Sequence, residues 1–354
     1  MGIGISALLA LVVGAACLTS GCSSIGYYAQ SVSGHLALVG SARPVSQWLA
    51  DPNTDPALKA RLVLAQRIRD FATAELKEPD NASYRRYADL KRDAAVWNVV
   101  AAPELNLTLK TWCFVVVGCI SYRGYYDRAE ADAFGAGLQA EGLEVSVYGV
   151  PAYSTLGALP GEHFADPLLS TFIGYPEGEL ARLIFHELAH QIAYAKGDTE
   201  FNESFASAVE RIGGERWLSE RASAKARDDY AEFDRRRRDF RALTAKYRDA
   251  LDALYRSGAS DAEKRSRKTA LYAELRADHA RLKTERWGGY AGYDGWFSRA
   301  NNASFGVLAA YNQLVPAFMR LFEREGGDFG RFYAEVKRLT ALDGKAERRA
   351  ALAR

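Results

Sequence analysis

The amino-acid sequence predicts an α+β fold, and three observations point to it. Short β-branched or alternating runs occur between residues 96 and 150 and are bounded by turn residues, which is typical of a small mixed sheet. Apolar residues recur at helical spacing through residues 180–212. The charged stretch 219–287 has aromatic and aliphatic residues mostly three or four positions apart, which predicts a long antiparallel helical hairpin.

Size and composition agree with one folded domain. The chain has 354 residues, of which 48% are hydrophobic and 12% aromatic, and this composition argues against disorder. The formal net charge is +2 and basic residues are interleaved with acidic ones. We therefore expect no nucleic-acid partner. The run Arg235–Arg238 does not change this, since four successive helical positions point in different directions.

The N-terminal third reads as a tether over residues 23–40, a proline-containing loop and a helix over residues 56–76. A further helix is predicted for residues 129–141, because Gly142 ends its pattern. The predicted strands are residues 96–100, 105–109, 114–117 and 144–150, with 153–156 as a continuation of the last.

In the hairpin, Ser260 and Glu263 form a capping-box signature that starts the second helix. His279 on this helix is expected at the surface. Residues 300–323 form one more apolar helical pattern, and residues 344–354 look like a frayed tail.

The N-terminus has the pattern of an export signal. Residues 7–18 are an apolar run of twelve, too short to span a bilayer but long enough for a signal-peptide core. The following Leu-Thr-Ser-Gly-Cys, ending at Cys22, resembles a lipobox. We expect a signal peptide over residues 1–21, lipidation of Cys22, and a single domain over residues 22–354. An ordinary cleaved signal or a short anchor is the alternative.

This pattern predicts a protein of the bacterial cell envelope, attached to a membrane by its lipid and facing the periplasm, at the outer membrane in preference to the inner. In an exported chain, Cys113 and Cys119 invite a disulfide. The segment between them has to turn back for the pair to meet, since an extended strand holds them roughly 20 Å apart. Two buried free thiols are the alternative.

The most specific motif is His-Glu-Leu-Ala-His at residues 186–190. Histidines at i and i+4 share one face of a helix, so His186 and His190 can bind one zinc ion. Glu187 lies between them, where its carboxylate can act as the general base for a zinc-activated water. Two histidines that only satisfy local hydrogen bonds in a buried helix are the alternative.

A second helical pattern follows after a loop around Gly197, with Asp198 or Thr199 as its cap. It would return Glu203 to the first helix as the third ligand, completing a His-His-Glu site for one Zn²⁺ per chain. A solvated carboxylate is the alternative for Glu203. Glu210 lies on the same face and is a reserve ligand or a partner of one, and Asn202 could orient a ligand.

The chain resembles a family of bacterial lipoproteins described as predicted zinc-dependent aminopeptidases. The resemblance implies a zincin-like metallopeptidase with residues 96–212 as its sheet and metal core and residues 219–287 as a helical insertion. The chain departs from the family at residues 158–164, which include His163, expected as a loop residue, with a position lining the cleft as the alternative. The matching segments are residues 26–35, 88–90, 96–99, 110–114, 117–125, 152–157, 166–171, 185–191, 201–206, 292–297, 301–303 and 310–311.

The expected activity is hydrolysis of peptide bonds, with an aminopeptidase favoured. Tyr311, Tyr153 and Tyr293 lie in the shared segments and are candidates for stabilising the oxyanion. Glu162, Asp166 and Glu210 are candidates for binding the free α-amine of the substrate. Two other functions stay open: an envelope lipoprotein with a structural metal site and a partner-binding hairpin, and an amidase for cell-wall peptides.

Overall fold

The computed structural model describes residues 26–114, 118–152, 165–310 and 313–354, and it is an α+β structure. Its helices are α1 (26–41), α2 (Val45–Ala50), α3 (Pro56–Ala74), α4 (Arg128–Ala140), α5 (Glu177–Ala189), α6 (Thr199–Glu220), α7 (Ala224–Arg256), α8 (Asp261–Glu285), α9 (Asp294–Arg299), α10 (Asn302–Ala310), α11 (Val315–Arg324), α12 (Phe329–Thr340) and α13 (Lys345–Leu352). Its strands are β1 (Arg43–Pro44), β2 (Arg86–Ala88), β3 (Val96–Pro103), β4 (Trp112–Phe114), β5 (Gly118–Ile120), β6 (Arg123–Tyr125), β7 (Leu143–Val150) and β8 (Leu168–Leu169).

The described strands form three small sheets, where the sequence predicted one. In the largest, β3 lies between β6 and β7 and pairs antiparallel with both. The second has the order β1-β2-β8 and is mixed, because β2 pairs antiparallel with β1 and parallel with β8. The third is the hairpin β4–β5.

The predicted strand at residues 105–109 is wrong. The Asn106 side chain accepts a hydrogen bond of 2.7 Å from the backbone N–H of Thr108, which makes a local turn. The leucines instead pack on α10, where a Cβ on Gly306 would lie 2.6 Å from Leu109. Their alternation therefore serves helix contact and not sheet pairing.

The strand predicted for residues 114–117 ends at Phe114, and 115–117 lie outside the described residues. The chain reverses direction between β4 and β5, so that Cys113 pairs with Cys119 across the hairpin. The structure joins these two cysteines in a disulfide.

The main core is built from α3, α5, α6, α11 and α12, with the sheet β1-β2-β8 at its side. Its largest fully buried side chains include Phe185 from α5, Phe201 and Phe205 from α6, and Phe318 from α11. Close helix contact depends on glycine at one point, since a Cβ on Gly214 of α6 would lie 2.6 Å from Arg182 of α5. None of the helices in the described residues is long and apolar enough to cross a membrane.

The C-terminal segment differs from its prediction in two ways. The single helix expected over residues 300–323 is divided into α10 and α11, and Pro316 lies in the first turn of α11, where proline starts a helix. The expected frayed tail is the ordered helix α13. It is fixed because Arg348 and Arg349 form ion pairs with the buried carboxylate of Asp198 at the start of α6.

The hairpin is formed by α7 and α8. The capping box of Ser260 and Glu263 is confirmed. The helices are antiparallel, because Arg235 near the start of α7 donates to the carbonyl of Arg286 just beyond the end of α8. The expectation that His279 is exposed is wrong: its ring is 7% exposed and stacks on Phe297 at 4.0 Å between centroids.

Candidate metal centre

Helix α5 carries the histidine motif and packs in the main core. Its apolar residues Leu180, Ile184, Phe185 and Leu188 are fully buried, which fixes the rotation of the helix. His190 is the residue after the last turn and keeps helical dihedral angles (φ −59°, ψ −24°), so it still lies one turn beyond His186. The two imidazole rings lie 4.9 Å apart between centroids. Helix α5 ends at Ala189, earlier than Gly197, which lies in the following loop.

Helix α6 brings the carboxylate of Glu203 to the face of α5 that carries the two histidines. Asp198 caps its N-terminus by accepting from the backbone N–H of Phe201, and the first turn of α6 is anchored in the core by the buried Phe201 and Phe205. Glu203 thereby lies beside His186 and His190. Asn202 does not orient a ligand: its amide binds both the N–H and the carbonyl of Ala195 and so holds the connecting loop.

The three groups lie at distances that suit a metal ion. Oε2 of Glu203 lies 3.3 Å from Nε2 of His186 and 3.7 Å from Nε2 of His190. In a tetrahedral zinc site with bonds of about 2.0–2.2 Å, neighbouring donor atoms lie about 3.4 Å apart. The donor atoms of His186, His190 and Glu203 all lie within 4.8 Å of one another. The described residues therefore contain a His-His-Glu group that could hold one metal ion.

The protonation of His190 also suits a ligand. Burial lowers the pKa of His190 to about 4, so its imidazole is neutral and has a free lone pair at neutral pH. His186 differs: although burial opposes it, hydrogen bonds to Glu203 and Glu210 hold its pKa well above the usual value. Nε2 of His186 has to release a proton before it can act as a ligand.

A second layer of charges orients His186. Oε2 of Glu210 lies 3.0 Å from Nδ1 of His186, and its other oxygen pairs with the buried guanidinium of Arg182. Arg182 also donates to the hydroxyl of Tyr230 on α7 at 2.9 Å. Despite burial, the charge of Arg182 keeps the pKa of Glu210 below its usual range. Glu210 is thus a partner of the candidate ligand His186, which is one of the two roles expected from the sequence. The contact directs Nε2 of His186 toward Glu203.

Glu187 lines the same cavity as the two histidines. Burial raises the pKa of Glu187 to about 7, against the lowering effect of the neighbouring His186. A carboxylate with this pKa can both take up and release a proton near neutral pH, which is the requirement for a general base that later acts as an acid.

The centre opens into a cavity of about 580 Å³. Its floor is formed by α5 and α6, one wall by β7 and β3, and the other by α1 and the β4–β5 hairpin. Seven tyrosine and phenylalanine side chains belong to the described lining, and its only carboxylates are Glu187 and Glu203. No lysine or arginine belongs to that part of the lining. The aromatic residues are Tyr27, Tyr28, Phe114, Tyr122, Tyr126, Tyr148 and Tyr194.

Two tyrosines near the candidate ligands were missed by the sequence analysis. Tyr148 on β7 and Tyr194 after α5 both line the cavity. Burial, together with the charge of Glu203, raises the pKa of Tyr148 to about 12 and also raises that of Tyr194, so both hydroxyls stay protonated and can donate. Tyr194 lies in the loop after α5, so no helical spacing pointed to it.

Of the three tyrosines predicted from the sequence to stabilise the oxyanion, the structure describes one. Tyr293 does not reach the centre, since its ring stacks on Phe240 of α7 at 4.4 Å in the hairpin core. Tyr153 and Tyr311 lie outside the described residues, as do Glu162, His163 and Cys22. Of the expected amine-binding carboxylates, Asp166 is buried and accepts from Gln191 at 3.2 Å, and it does not line the cavity.

One of the comparisons with known proteins identifies a family. A family model described as "putative aminopeptidase" matches residues 26–352, which is almost the whole chain. The chain therefore belongs to this aminopeptidase family. No curated protein and no solved structure matches significantly.

Proposed function

We propose that this member of the aminopeptidase family is a zinc-dependent peptidase whose centre is formed by His186, His190 and Glu203. The observation that carries the proposal is the convergence of these three groups beside Glu187 on the floor of one cavity. When bound, zinc supplies Lewis-acid polarisation of the scissile carbonyl and of the attacking water.

The protein's own residues supply the proton transfers. The carboxylate of Glu187 takes the proton of the attacking water and passes it to the nitrogen of the leaving amine. Because its pKa is about 7, Glu187 can both accept and release a proton at neutral pH. The pair Glu210–Arg182 keeps the ring of His186 in one orientation and one tautomer throughout.

A hydroxyl donor is needed where negative charge develops on the carbonyl oxygen. Tyr148 and Tyr194 can serve, since both line the cavity and stay protonated. Tyr148 has the more defined position, because it lies on a strand paired over its whole length with β3 and its hydroxyl bonds to Asn98. Tyr153 and Tyr311 remain candidates from the sequence.

The cavity also points to a class of substrate. A wall of tyrosine and phenylalanine without a described lysine or arginine favours a bulky apolar or aromatic side chain next to the scissile bond. We expect poor hydrolysis where that residue is acidic, because the side chain would lose its hydration without gaining a cation. Rates on peptides that differ only at this residue measure the preference.

The test measures zinc content and peptide hydrolysis together on the full chain. Glu187→Gln removes the proton acceptor and retains the shape, and Glu274→Gln, an exposed position on α8, is the matched control. We expect zinc in all three proteins and a loss of about 10²–10⁴-fold in hydrolysis for Glu187→Gln alone. Equal hydrolysis by Glu187→Gln and wild type, or no zinc in any protein, would overturn the proposal.

The same assay addresses the position of cleavage. An aminopeptidase cleaves peptides with a free amino group and fails on their acetylated forms, whereas an endopeptidase cleaves both. The expectation of an aminopeptidase rests on the family. Neither Asp166 nor Glu210 is available to bind the amine, because one binds Gln191 and the other binds His186 and Arg182.

A further inference from the structure

Helix α1 exposes an apolar stripe. Tyr28, Val32 and Leu36 are spaced four residues apart, so they lie on one face of the helix. They are 43%, 58% and 48% exposed. Among the described residues, only one other large hydrophobic side chain is so exposed, Val63 on α3 at 47%. Three of these four side chains therefore belong to a single helix of sixteen residues.

The opposite face fixes the helix to the domain. The side chain of Gln30 donates to the carbonyl of Gly124 and accepts from the backbone N–H of Tyr126, and Leu38 is buried in the main core. Gly34 permits contact, because a Cβ there would lie 2.2 Å from the ring of Tyr126. The rotation of α1 is thus set by its buried face. Val32 and Leu36 are exposed on the opposite face, and Tyr28 lies at the edge of the stripe, beside the cavity.

The chain that leads to α1 indicates what this stripe contacts. No Asp, Glu, Lys or Arg occurs before Arg43, although charged residues make up 25% of the whole chain. The apolar run at residues 7–18 and Cys22 lie directly upstream. Three residues separate Cys22 from Gly26, the first described residue of the helix, and the four Cα–Cα steps between them span at most about 14 Å when fully extended. A membrane attachment at Cys22 would keep α1 close to the lipid surface.

We propose that the face of α1 formed by Tyr28, Val32 and Leu36 lies on the surface of a lipid bilayer. A helix with a strong apolar stripe partitions into the boundary between headgroups and acyl chains, and the absence of charge lowers the cost of its approach. The proposal rests on the expected membrane attachment of the N-terminal segment and is independent of the proposed peptidase activity.

The proposal has a consequence for the cavity. Tyr27, Tyr28 and Ser31 of the same helix belong to the lining of the cavity. A bilayer on the outer face of α1 therefore lies beside the wall of the candidate catalytic site. The substrates that reach it would be peptide segments close to a membrane surface.

The experiment places a fluorescent side chain on the stripe. The full chain and its variants Val32→Trp and Leu36→Trp are incorporated into phosphatidylcholine vesicles with or without bromine on the acyl chains. Val63→Trp is the matched control, since Val63 has similar exposure but lies on α3. We expect bromine to quench the added fluorescence at positions 32 and 36 and to leave that at position 63 unchanged. Thermal unfolding checks that each variant is folded.

A second measurement needs no substitution. Wild-type protein in vesicles that carry a photoactivatable phospholipid should be labelled within residues 26–41 and not within residues 57–67, around Val63. Equal quenching at positions 32, 36 and 63, or no labelling of residues 26–41, would overturn the proposal. Failure of the full chain to stay on the vesicles would overturn it as well. The proposal would also be overturned if the tryptophan at position 32 were protected from acrylamide quenching in the absence of lipid, because the face would then be covered by protein.

Discussion

The α5–α6 pair and the α7–α8 pair are both antiparallel helices joined by a short connection, yet they bury different kinds of side chain. Between α5 and α6, Arg182, His186 and Glu210 have side chains only 4%, 12% and 16% exposed. Between α7 and α8, the seam is formed by residues such as Tyr247, Leu251 and Leu275. Ion pairs of the hairpin lie mostly outside this seam, as in Lys225–Asp229, where the side chains are 82% and 52% exposed.

The difference agrees with the proposed location of the catalytic centre. Burying charged groups costs free energy that pairing only partly returns, so apolar residues of the same volume stabilise a helix pair better. The hairpin follows that rule. The α5–α6 pair breaks it at the proposed catalytic centre, where residues are expected to be retained for function at the expense of stability.

The largest expected effect concerns the metal. Glu203→Ala should abolish tight zinc binding, because it removes one of three ligands. Glu210→Ala should weaken zinc binding by about 10–100-fold, because it frees the ring of His186. Competition with a chromophoric chelator measures both, with Glu274→Ala on the hairpin as the control. Wild-type affinity in Glu210→Ala would contradict the role given to the Glu210–His186 contact.

The next effect tests the hairpin. Leu275→Ala removes a side chain that is fully buried in the seam and should lower the free energy of unfolding by about 2–5 kcal/mol. Urea denaturation measures it. Zinc affinity should remain that of the wild type, because Leu275 belongs to a separate apolar cluster. A parallel loss of zinc affinity would show that the two helix pairs are coupled.

The third effect depends on pH. Burial raises the pKa of Asp198, but hydrogen bonds from Arg349 and Arg348 outweigh it and leave the pKa below 3.8. The ionised carboxylate therefore stabilises the fold above about pH 4, and this contribution is lost as pH falls through the lowered pKa.

Asp198→Asn keeps an oxygen for the helix cap, removes the charge and replaces the other carboxylate oxygen by an NH2 donor that faces Arg348 and Arg349. We expect it to be less stable than wild type by about 2 kcal/mol at pH 7, less than for a fully buried pair because Arg349 is 24% exposed. The difference between the two proteins should shrink as the pH falls below about 4 and through the lowered pKa of Asp198 in acid-titrated unfolding curves. A constant difference across this range would rule out the charge as the cause.

The smallest effect is expected on the hairpin surface. Lys225→Ala breaks an exposed ion pair with Asp229 and should change the unfolding free energy by less than about 0.5 kcal/mol. Urea denaturation at low and high salt is the appropriate measurement. A loss above 1 kcal/mol would mean that surface charges stabilise the hairpin more than its geometry suggests.

The sequence predicted those features that depend on spacing within one element. The i and i+4 positions of His186 and His190, the capping box at Ser260 and the helices α3, α4, α7 and α8 follow from the fixed geometry of the helix. The location of Glu203 near His186 also follows, since a short connection leaves a helix hairpin few alternatives.

Only the tertiary structure decided which distant segments meet. Tyr148 reaches the cavity through the pairing of β7 with β3, and the ordering of α13 depends on an ion pair between Arg348 and Asp198, 150 residues apart. The same holds for Tyr27 of α1 in the cavity wall and for the loss of the strand at residues 105–109. Local spacing is set by bonded geometry and is readable from a few residues. Contacts between remote elements are set by the packing of the whole core, which no short pattern contains.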